Sequence, residues 1–334
     1  MRRQAIAWIA ALASSVSLAA CSGSSGSDEP EGGGGGEGEE LQTVRLAAVP
    51  VVDLAAIYIG MNEGYFEEQG LQIDITYGQG SAAMIPALLN DEYDIQFAGS
   101  VNLLQATDQG LPLQAIAPAG RSTGVQGEDH GGVLVPPDSD IQRPADLEGR
   151  TVAVNALGGL HEVCVWAAVA EDGGDPSTID FVELPLQDMN SALGSGQVDA
   201  ISTSEPFYGI GLDEGNRLVT SVFVDTVPDH MVTAVYMVTE EKAQADPEMI
   251  DAFVAGLEQS FAHAREHPDE VRAELSNFTE IEAGLTESMI LTDFTWGLTR
   301  EDLAVVADAS AQAETIDDPE AATDRAAGYL DGQG

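Results

Sequence analysis

Hydrophobic and polar positions follow two periods in the part of the chain that begins near residue 41. Residues 44–49 are a short apolar run typical of a buried strand, residues 55–68 have the spacing of a helix, and residues 71–77 predict a second strand. Residues 85–89 form a further helical segment, which has either an irregular first turn capped by Ser81 or a start near Ile85 with Pro86 at its first position. Strands that alternate with helices predict a largely parallel sheet of the α/β class.

One segment of the first half has a counterpart in the second half. Residues 87–95 (ALLNDEYDI) align without a gap with residues 192–200 (ALGSGQVDA), an offset of 105 positions. At the same offset, the strand that ends at Val49 falls on a strand that ends at Val154. Because two separate elements agree on one spacing, the pattern favours two lobes of similar construction over a single large domain.

Polar loops follow the predicted strands of both halves. In open α/β sheets, ligands bind beyond the carboxyl ends of the strands, where helix N-termini offer free N–H groups. Two lobes that face each other would bring these loops together on one cleft. The candidate ligand-binding residues are Asp53, Gln79, Gly80, Ser81, Ser100, Asn102, Arg121, Asn155, Gly158, Gly159, His161, Glu205 and Tyr208.

Several of these candidates have an alternative structural role. Asp53, His161 and Glu205 could be capping or solvated groups, and Arg121 could form a salt bridge between domains. Phe207 and Tyr208 could stack on a ligand ring, although one of the two is expected to pack inside the second lobe instead.

The last third of the chain predicts a return to the first lobe. Residues 232–239 alternate like a strand, and Asp246 and Pro247 supply an N-cap and a first helical position. The apolar residues that follow recur at helical spacing and predict a core-facing stripe. They are Ile250, Phe253, Val254, Leu257 and Phe261. Residues 299–302 (TRED) resemble a capping box.

The N-terminus has the features of an export signal. Arg2 and Arg3 precede a short apolar run, and residues 18–21 (LAAC) look like a bacterial lipobox, which implies cleavage before Cys21 and lipidation of its thiol. The alternative is a plain signal peptide with an incidental cysteine. Residues 22–40 contain no apolar side chain, so they predict a flexible tether between a membrane anchor and the folded region.

Composition excludes several classes of protein. The 57 acidic and 12 basic residues give a net charge of −45, which argues against binding to nucleic acid and suits a high-salt habitat. The two cysteines exclude a disulfide framework and a thiolate metal cage.

Five short motifs together resemble the solute-binding proteins of ABC importers for nitrate, sulfonates, taurine and thiamine-related pyrimidines. The motifs are residues 64–71 (GYFEEQGL), 93–95 (YDI), 146–153 (DLEGRTVA), 196–200 (GQVDA) and 205–207 (EPF). The resemblance implies a two-lobed, type II periplasmic-binding-protein-like fold, with a mostly parallel sheet flanked by helices in each lobe. It also implies one lobe at residues 42–120 plus 231–334, a second at 121–230, and two hinge crossings between them.

The resemblance further implies a function and its partners. The expected protein is a monomeric, extracytoplasmic lipoprotein, anchored to the membrane at Cys21, that delivers a small solute to an ABC permease and its ATPase. The preferred ligand is a small sulfonate, nitrate or taurine-like anion or zwitterion, since Arg121 and the helix N-termini would favour negative charge. The alternatives are a thiamine-related pyrimidine or other heterocycle, favoured by Asp53 and Glu205, or a sensor that reports to a membrane receptor.

No cofactor, metal or catalytic activity is expected. Pyrimidine synthases of the same fold need a cofactor lysine and a cysteine-rich stretch, whereas Lys242 is the single lysine and Cys164 is solitary. Cys164 is expected to be a buried hydrophobic residue. Asp129 and His130 stand among loop glycines, and the remaining histidines, including His263 and His267, are expected to be dispersed rather than to form a metal site.

Overall fold

The computed structural model describes residues 41–78, 80–278 and 283–332, and in these residues ten strands build two sheets. The predicted signal segment, Cys21, the tether and Gln79 lie outside the described residues. The strands are β1 (Gln42–Ala48), β2 (Leu71–Tyr77), β3 (Ile95–Gly99), β4 (Leu113–Arg121), β5 (Gly131–Val135), β6 (Thr151–Val154), β7 (Asp180–Glu183), β8 (Ala200–Ser204), β9 (Arg217–Thr220) and β10 (Val232–Thr239).

The two sheets have the same strand pattern. The first sheet has the order β2-β1-β3-β10-β4 and the second the order β7-β6-β8-β5-β9. β10 is antiparallel to both neighbours in the first sheet, and β5 is antiparallel to both neighbours in the second. Each antiparallel strand is therefore the fourth of five strands in an otherwise parallel sheet. This arrangement confirms the predicted α/β class.

Helices flank both sheets. They are α1 (Ala55–Glu63), α2 (Ser81–Leu89), α3 (Ser100–Asp108), α4 (Leu160–Glu171), α5 (Leu186–Gly194), α6 (Phe207–Asp213), α7 (Val222–Thr226), α8 (Glu240–Ala245), α9 (Pro247–Glu266), α10 (Pro268–Phe278), α11 (Ala283–Thr286), α12 (Arg300–Gln312), α13 (Pro319–Ala326) and α14 (Gly328–Asp331). No helix among the described residues is both long enough and apolar enough to cross a membrane.

The internal repeat extends through whole elements. An offset of 105 positions carries the start of α1 onto that of α4, α2 onto α5, and β3 onto β8. The repeat observed in a few residues of the sequence therefore reflects two units with the same succession of strands and helices.

Two predicted helices differ from the structure at their ends. The helix predicted for residues 55–68 ends at Glu63 because Gly64 adopts a left-handed conformation (φ 80°), which stops the helix at low steric cost. α2 begins at Ser81, and Pro86 lies inside it. The helix therefore starts before Ile85, as in the first alternative, but its N-cap is Gly80 and Ser81 does not cap it.

The returning segment matches its prediction closely. β10 covers residues 232–239, α9 begins at Pro247 after Asp246, and Thr299 and Asp302 form a capping box. On α9, Phe253 and Phe261 are fully buried in a core beside β1, β10 and α1, together with Ile250 and Leu257. The apolar stripe thus fastens the returning helix to the first sheet.

The chain crosses between the two sheets twice, as the resemblance implies. Residues 122–130 connect β4 to β5, and residues 221–231 connect β9 to β10. A further segment contacts both cores: the bridging segment, residues 289–299, which is not helical and precedes α12. In it, Ile290 packs on the core of the second sheet, whereas Phe294 packs in the core of the first.

Candidate functional site

Asp53 lies in a short 3-10 turn directly after β1, at the carboxyl end of the strand. Its side chain is buried, and Oδ1 has no hydrogen-bond partner among the described residues. Gly120 makes room for it, since a Cβ at Gly120 would overlap Oδ1 and lie 2.8 Å from Thr292 Oγ1. Burial raises the pKa of Asp53, an effect that the nearby His130 and Thr292 partly offset.

Asp129 and His130 form a buried pair at the end of the first crossing. Asp129 Oδ2 accepts from Ser122 Oγ at 2.8 Å, and Oδ1 accepts from Thr123 N at 2.9 Å and lies 3.1 Å from His130 Nδ1. Burial alone would lower the pKa of His130, but Asp129, Asp53 and Glu205 together raise it. His130 is therefore the group that can carry positive charge among these carboxylates.

His161 is held between two hydroxyl groups on β8. Its Nδ1 is 2.9 Å from Ser202 Oγ, and its Nε2 is 3.0 Å from Ser204 Oγ. Burial, together with the charge of His130, lowers the pKa of His161 to about 3, so this imidazole is neutral. The ring of Phe223 on α7 lies between the two imidazoles, 5.3 Å from His130 and 5.4 Å from His161 between centroids.

Glu205 follows β8 and is almost fully buried. Its Oε2 accepts from Gly209 N at 3.1 Å in the first turn of α6, and its Oε1 accepts from Ile290 N at 3.0 Å in the bridging segment. Burial raises the pKa of Glu205 to about 7 despite these two hydrogen bonds. The carboxyl group thus joins the second sheet to a segment that also packs on the first.

Five ionisable side chains form one buried group, here called the interlobe cluster: Asp53, Asp129, His130, His161 and Glu205. None is more than 8% exposed. Three of the five, Asp53, His161 and Glu205, are among the residues predicted from the sequence, and they come from both sheets. A buried set of acids and imidazoles with shifted pKa values is typical of a functional site.

Arg121 does not supply a free cation to this cluster. Its Nη1 is 3.0 Å from Asp302 Oδ1, and its guanidinium also donates to the carbonyl oxygens of His230 and Gly297. The side chain is buried among these acceptors, which saturate most of its donors. Arg121 therefore forms a salt bridge, but Asp302 lies in the segment that returns to the first sheet, to which β4 also belongs, so the pair does not join two domains as the alternative expected. The expected anion-binding role of Arg121 loses its basis.

The predicted glycine loop before α4 has its own internal partner. Gly158 N donates to Glu162 Oε2 at 2.8 Å, and Gly158 O accepts from Gln105 Nε2 of α3 at 2.6 Å. Gly159 is the buried N-cap of α4, and Asn155 is exposed. A carboxylate of the same helix therefore occupies the position that an anionic ligand would need.

The other predicted residues lie around the ends of the strands. Ser100 is buried and donates to Thr233 O at 3.3 Å, while Asn102, Gly80 and Ser81 are partly buried. Tyr208 packs in the core of the second sheet, as predicted for one of the two aromatics. Burial raises its pKa to about 12.

Sequence reasoning missed several residues that the structure brings to the site. Asp129 and His130 were considered only as metal ligands, although an Asp-His pair at a predicted crossing is also a signal for a polar site. Phe223 and Tyr236 gave no signal because aromatic residues in apolar runs usually belong to the core. Tyr236 lies in the first core, and its hydroxyl is buried without a partner among the described residues.

Lys242 and Cys164 have structural partners. Lys242 Nζ is 2.8 Å from Asp94 Oδ1, and Arg45 Nη2 is 2.7 Å from the same oxygen. Asp94 precedes β3, whereas Asp53 follows β1, which runs parallel to it. This network therefore lies at the opposite end of the strands from the interlobe cluster. Cys164 is fully buried, and burial raises its pKa to about 12.

The prediction that the surface histidines are dispersed is wrong for two of them. His263 and His267 stand four residues apart at the end of α9, and their ring centroids are 4.4 Å apart. Residues four apart share one face of a helix, which the sequence spacing alone could have indicated.

A family model described as NMT1/THI5 like matches residues 52–271. The chain belongs to the NMT1/THI5-like family. The match covers every member of the interlobe cluster, whereas the bridging segment lies beyond it.

Of the curated proteins similar to this NMT1/THI5-like chain, one carries the name of a binding protein and another that of a thiamine biosynthesis protein. The formylaminopyrimidine-binding protein of Halalkalibacterium halodurans is 23% identical over 216 residues, which are 64% of this chain and 63% of that protein. The alignment thus spans less than two thirds of that relative's own length.

Two solved structures are similar over most of both chains. The periplasmic aliphatic sulphonate binding protein SsuA from Escherichia coli has a TM-score of 0.70 and 18% identity, and covers 86% of this chain and 99% of its own. The periplasmic nitrate-binding protein NrtA from Synechocystis has a TM-score of 0.65 and 12% identity, and covers 87% and 89%. At these identities the similarity shows the two-lobed periplasmic-binding-protein fold.

Proposed function

We propose that this protein is an extracytoplasmic solute-binding lipoprotein of an ABC importer, anchored at Cys21. Its lobes, residues 42–120 plus 231–334 and residues 121–230, close on a small solute and present it to the permease. The fold, the family and the names of the similar binding proteins support capture and delivery rather than chemistry. The solute stabilises the closed state to the extent that it binds that state better than the open one.

For the solute, we favour the heterocyclic alternative, an aminopyrimidine, over the anion. The observation that carries this choice is the buried Oδ1 of Asp53, which has no donor among the described residues. A buried carboxylate oxygen without a hydrogen bond is costly, and an amino group of a ligand would satisfy it.

Glu205 adds a second matching group. With a pKa of about 7, it is available in both protonation states near neutral pH. Each of its oxygens accepts one backbone N–H and keeps a further lone pair. An aminopyrimidine edge presents an amino donor beside a ring-nitrogen acceptor, and it can therefore pair with the protonated carboxyl group, whose O–H donates to the ring nitrogen while the other oxygen accepts from the amino group.

Anions suit the same surroundings poorly. Three carboxyl groups, those of Asp53, Asp129 and Glu205, lie in the interlobe cluster, and Asp302 occupies Arg121. Although burial opposes it, hydrogen bonds from His130, Thr123 and Ser122 keep the pKa of Asp129 below its ordinary value, and the charge of this carboxylate would repel an anion in a low-dielectric site.

The test is a thermal-shift panel on the full chain with formylaminopyrimidine, an aminopyrimidine, taurine, an alkanesulfonate and nitrate. We expect stabilisation by the pyrimidines, and a roughly tenfold lower affinity for Asp53→Asn, seen as a need for about ten times more ligand for the same shift, which is the cost of about one lost charged hydrogen bond. The control is Asp74→Asn, which changes an exposed carboxylate on β2. Stabilisation by the anions alone, unchanged in Asp53→Asn, would overturn the choice of ligand.

Two further measurements separate the alternatives in function. Recovery of the bound pyrimidine unchanged after prolonged incubation supports a binder, and turnover would indicate an enzyme. Stimulation of ATP hydrolysis by a reconstituted permease would support transport, whereas a response from a membrane receptor alone would favour the sensor.

A further inference from the structure

Two histidines and a glutamate converge where α9 meets α10, on elements that contribute nothing to the interlobe cluster. His263 Nε2 is 2.9 Å from Glu270 Oε2, and His267 Nδ1 is 3.4 Å from Glu270 Oε1. One ligand atom from each residue lies within 4.8 Å of the other two. We propose that His263, His267 and Glu270 bind a zinc ion.

The separations suit a tetrahedral ion. Zinc–nitrogen and zinc–oxygen bonds of about 2.0–2.2 Å place neighbouring ligand atoms about 3.3 Å apart. The two imidazoles approach different oxygens of Glu270, at 2.9 Å and 3.4 Å, so both nitrogens already lie at about this distance from the carboxylate group. Because one ligand atom of each residue lies within 4.8 Å of the other two, we expect side-chain rotations to bring the three atoms around one ion.

The backbone beneath the three side chains is already fixed. His267 N donates to His263 O at 2.9 Å, and Glu270 N donates to His267 O at 3.0 Å. The neighbouring Ala264 and Val271 are buried and fasten α9 and α10 to the first core. A site on such rigid elements loses little entropy when the ion binds.

Tyr65 supplies the outer contact that metal-binding histidines usually have. Its hydroxyl is 2.8 Å from Nδ1 of His263, the ring nitrogen that does not face Glu270. A proton on Nδ1 that is donated to Tyr65 leaves the Nε2 lone pair free for the ion. Tyr65 is thus a positioning residue for His263.

The ligand set and its exposure indicate the kind of ion. Imidazole nitrogens with one carboxylate select zinc or a similar late transition metal, because calcium and magnesium prefer oxygen ligands. His267 and Glu270 are about half exposed, which gives the ion access from solvent. Arg272, the nearby cation on α10, is paired with Asp269 and leaves Glu270 to the histidines.

The first experiment is a titration of the untagged, chelator-treated full chain with zinc chloride. We expect one zinc ion per chain, with affinity reduced at least about tenfold in His267→Ala and in Glu270→Gln. The matched controls are His230→Ala, a half-exposed histidine paired with Asp293, and Glu258→Gln, an exposed carboxylate on α9. Both controls should bind zinc as the unmodified chain does.

Two more readouts report on coordination and on folding. Cobalt in place of zinc should give the visible absorption bands of tetrahedral cobalt, and His267→Ala should lose them. Zinc should raise the melting temperature of the unmodified chain by mass action and leave that of the two ligand variants unchanged. Circular dichroism of each variant, in the absence of metal, checks that it is folded.

Several results would overturn the proposal. They are the absence of stoichiometric zinc binding, or equal zinc binding by the unmodified chain, His267→Ala and Glu270→Gln. Equal binding would mean that zinc associates only with the acidic surface, which carries most of the net charge of −45.

Discussion

Glu205 is a single residue whose burial makes folding depend on pH. Its pKa rises from the ordinary value of 4.5 to about 7 in the folded protein. The folded chain therefore keeps a proton that the unfolded chain releases in this interval. The resulting contribution to stability is complete below pH 4.5 and is lost as the pH rises through about 7.

We expect Glu205→Gln to remove this dependence. Between pH 4.5 and about pH 7, the free energy of unfolding of the unmodified chain, relative to that of the variant, should fall by about 3 kcal/mol. Chemical denaturation over this range measures the difference, in which the other titrating groups largely cancel. Glu214→Gln, at the exposed end of α6, is the control. Parallel curves for the unmodified chain and Glu205→Gln would contradict the account.

Gly120 is a second residue with a sharp consequence. In Gly120→Ala, the new Cβ would overlap Asp53 Oδ1 and approach Thr292 Oγ1. We expect a loss of about 1–3 kcal/mol in the free energy of unfolding, as for other overpacked sites, together with weaker ligand binding. Gly194→Ala is the matched control, because a Cβ there meets nothing within 4 Å. A Gly120→Ala variant as stable as Gly194→Ala would show that the packing around Asp53 is loose.

At the level of residues, the sequence predicted part of the site and missed the rest for physical reasons. Asp53, His161 and Glu205 were found because they follow strands, where side chains of different strands converge. The partner of Arg121 could not be found, since Asp302 is 181 positions away along the chain. His130 was missed because its role depends on charges contributed by both halves of the chain.

At the level of elements, strands and helices that depend on neighbouring residues were predicted, whereas segments whose path depends on contacts with distant parts of the chain were not. β10 and the start of α9 match because alternation, an N-cap and a proline act within a few residues. The path of the bridging segment was not predicted, because residues 289–299 have no strand or helix periodicity. Its position depends on contacts such as that between Thr292 Oγ1 and Arg121 N, at 2.9 Å.

The ion pair between Arg121 and Asp302 fastens α12 to the end of β4, and its loss should be costly. Asp302→Asn keeps the shape of the side chain and an oxygen for the capping box, but leaves the buried guanidinium without its counter-charge. We expect a loss of about 3 kcal/mol in the free energy of unfolding. Urea denaturation provides the measurement, with Asp308→Asn on the exposed face of α12 as the control. Equal stability of the two variants would mean that Arg121 finds sufficient partners in backbone carbonyls.

At the level of the whole molecule, the two-lobed fold was predictable because it is built twice. The offset of 105 positions appears both in the sequence and in the spacing of strands and helices. The degree of closure was not predictable from the sequence, since it is set by contacts between the halves. Gln105 to Gly158 and Ile290 to Glu205 are two such contacts.

The burial of the interlobe cluster requires that these contacts open to admit a solute. None of its five side chains is more than 8% exposed. In the proposed function, binding therefore alternates between an open state that solvent can reach and a closed state that holds the solute.

The radius of gyration in solution, measured by small-angle X-ray scattering with and without saturating aminopyrimidine, tests this claim most directly. We predict a smaller radius of gyration in the presence of the ligand, with no such change for Asp53→Asn at the same concentration. An unchanged radius of gyration in the unmodified chain, with binding of the pyrimidine demonstrated by calorimetry in the same sample, would contradict closure on a solute between two lobes.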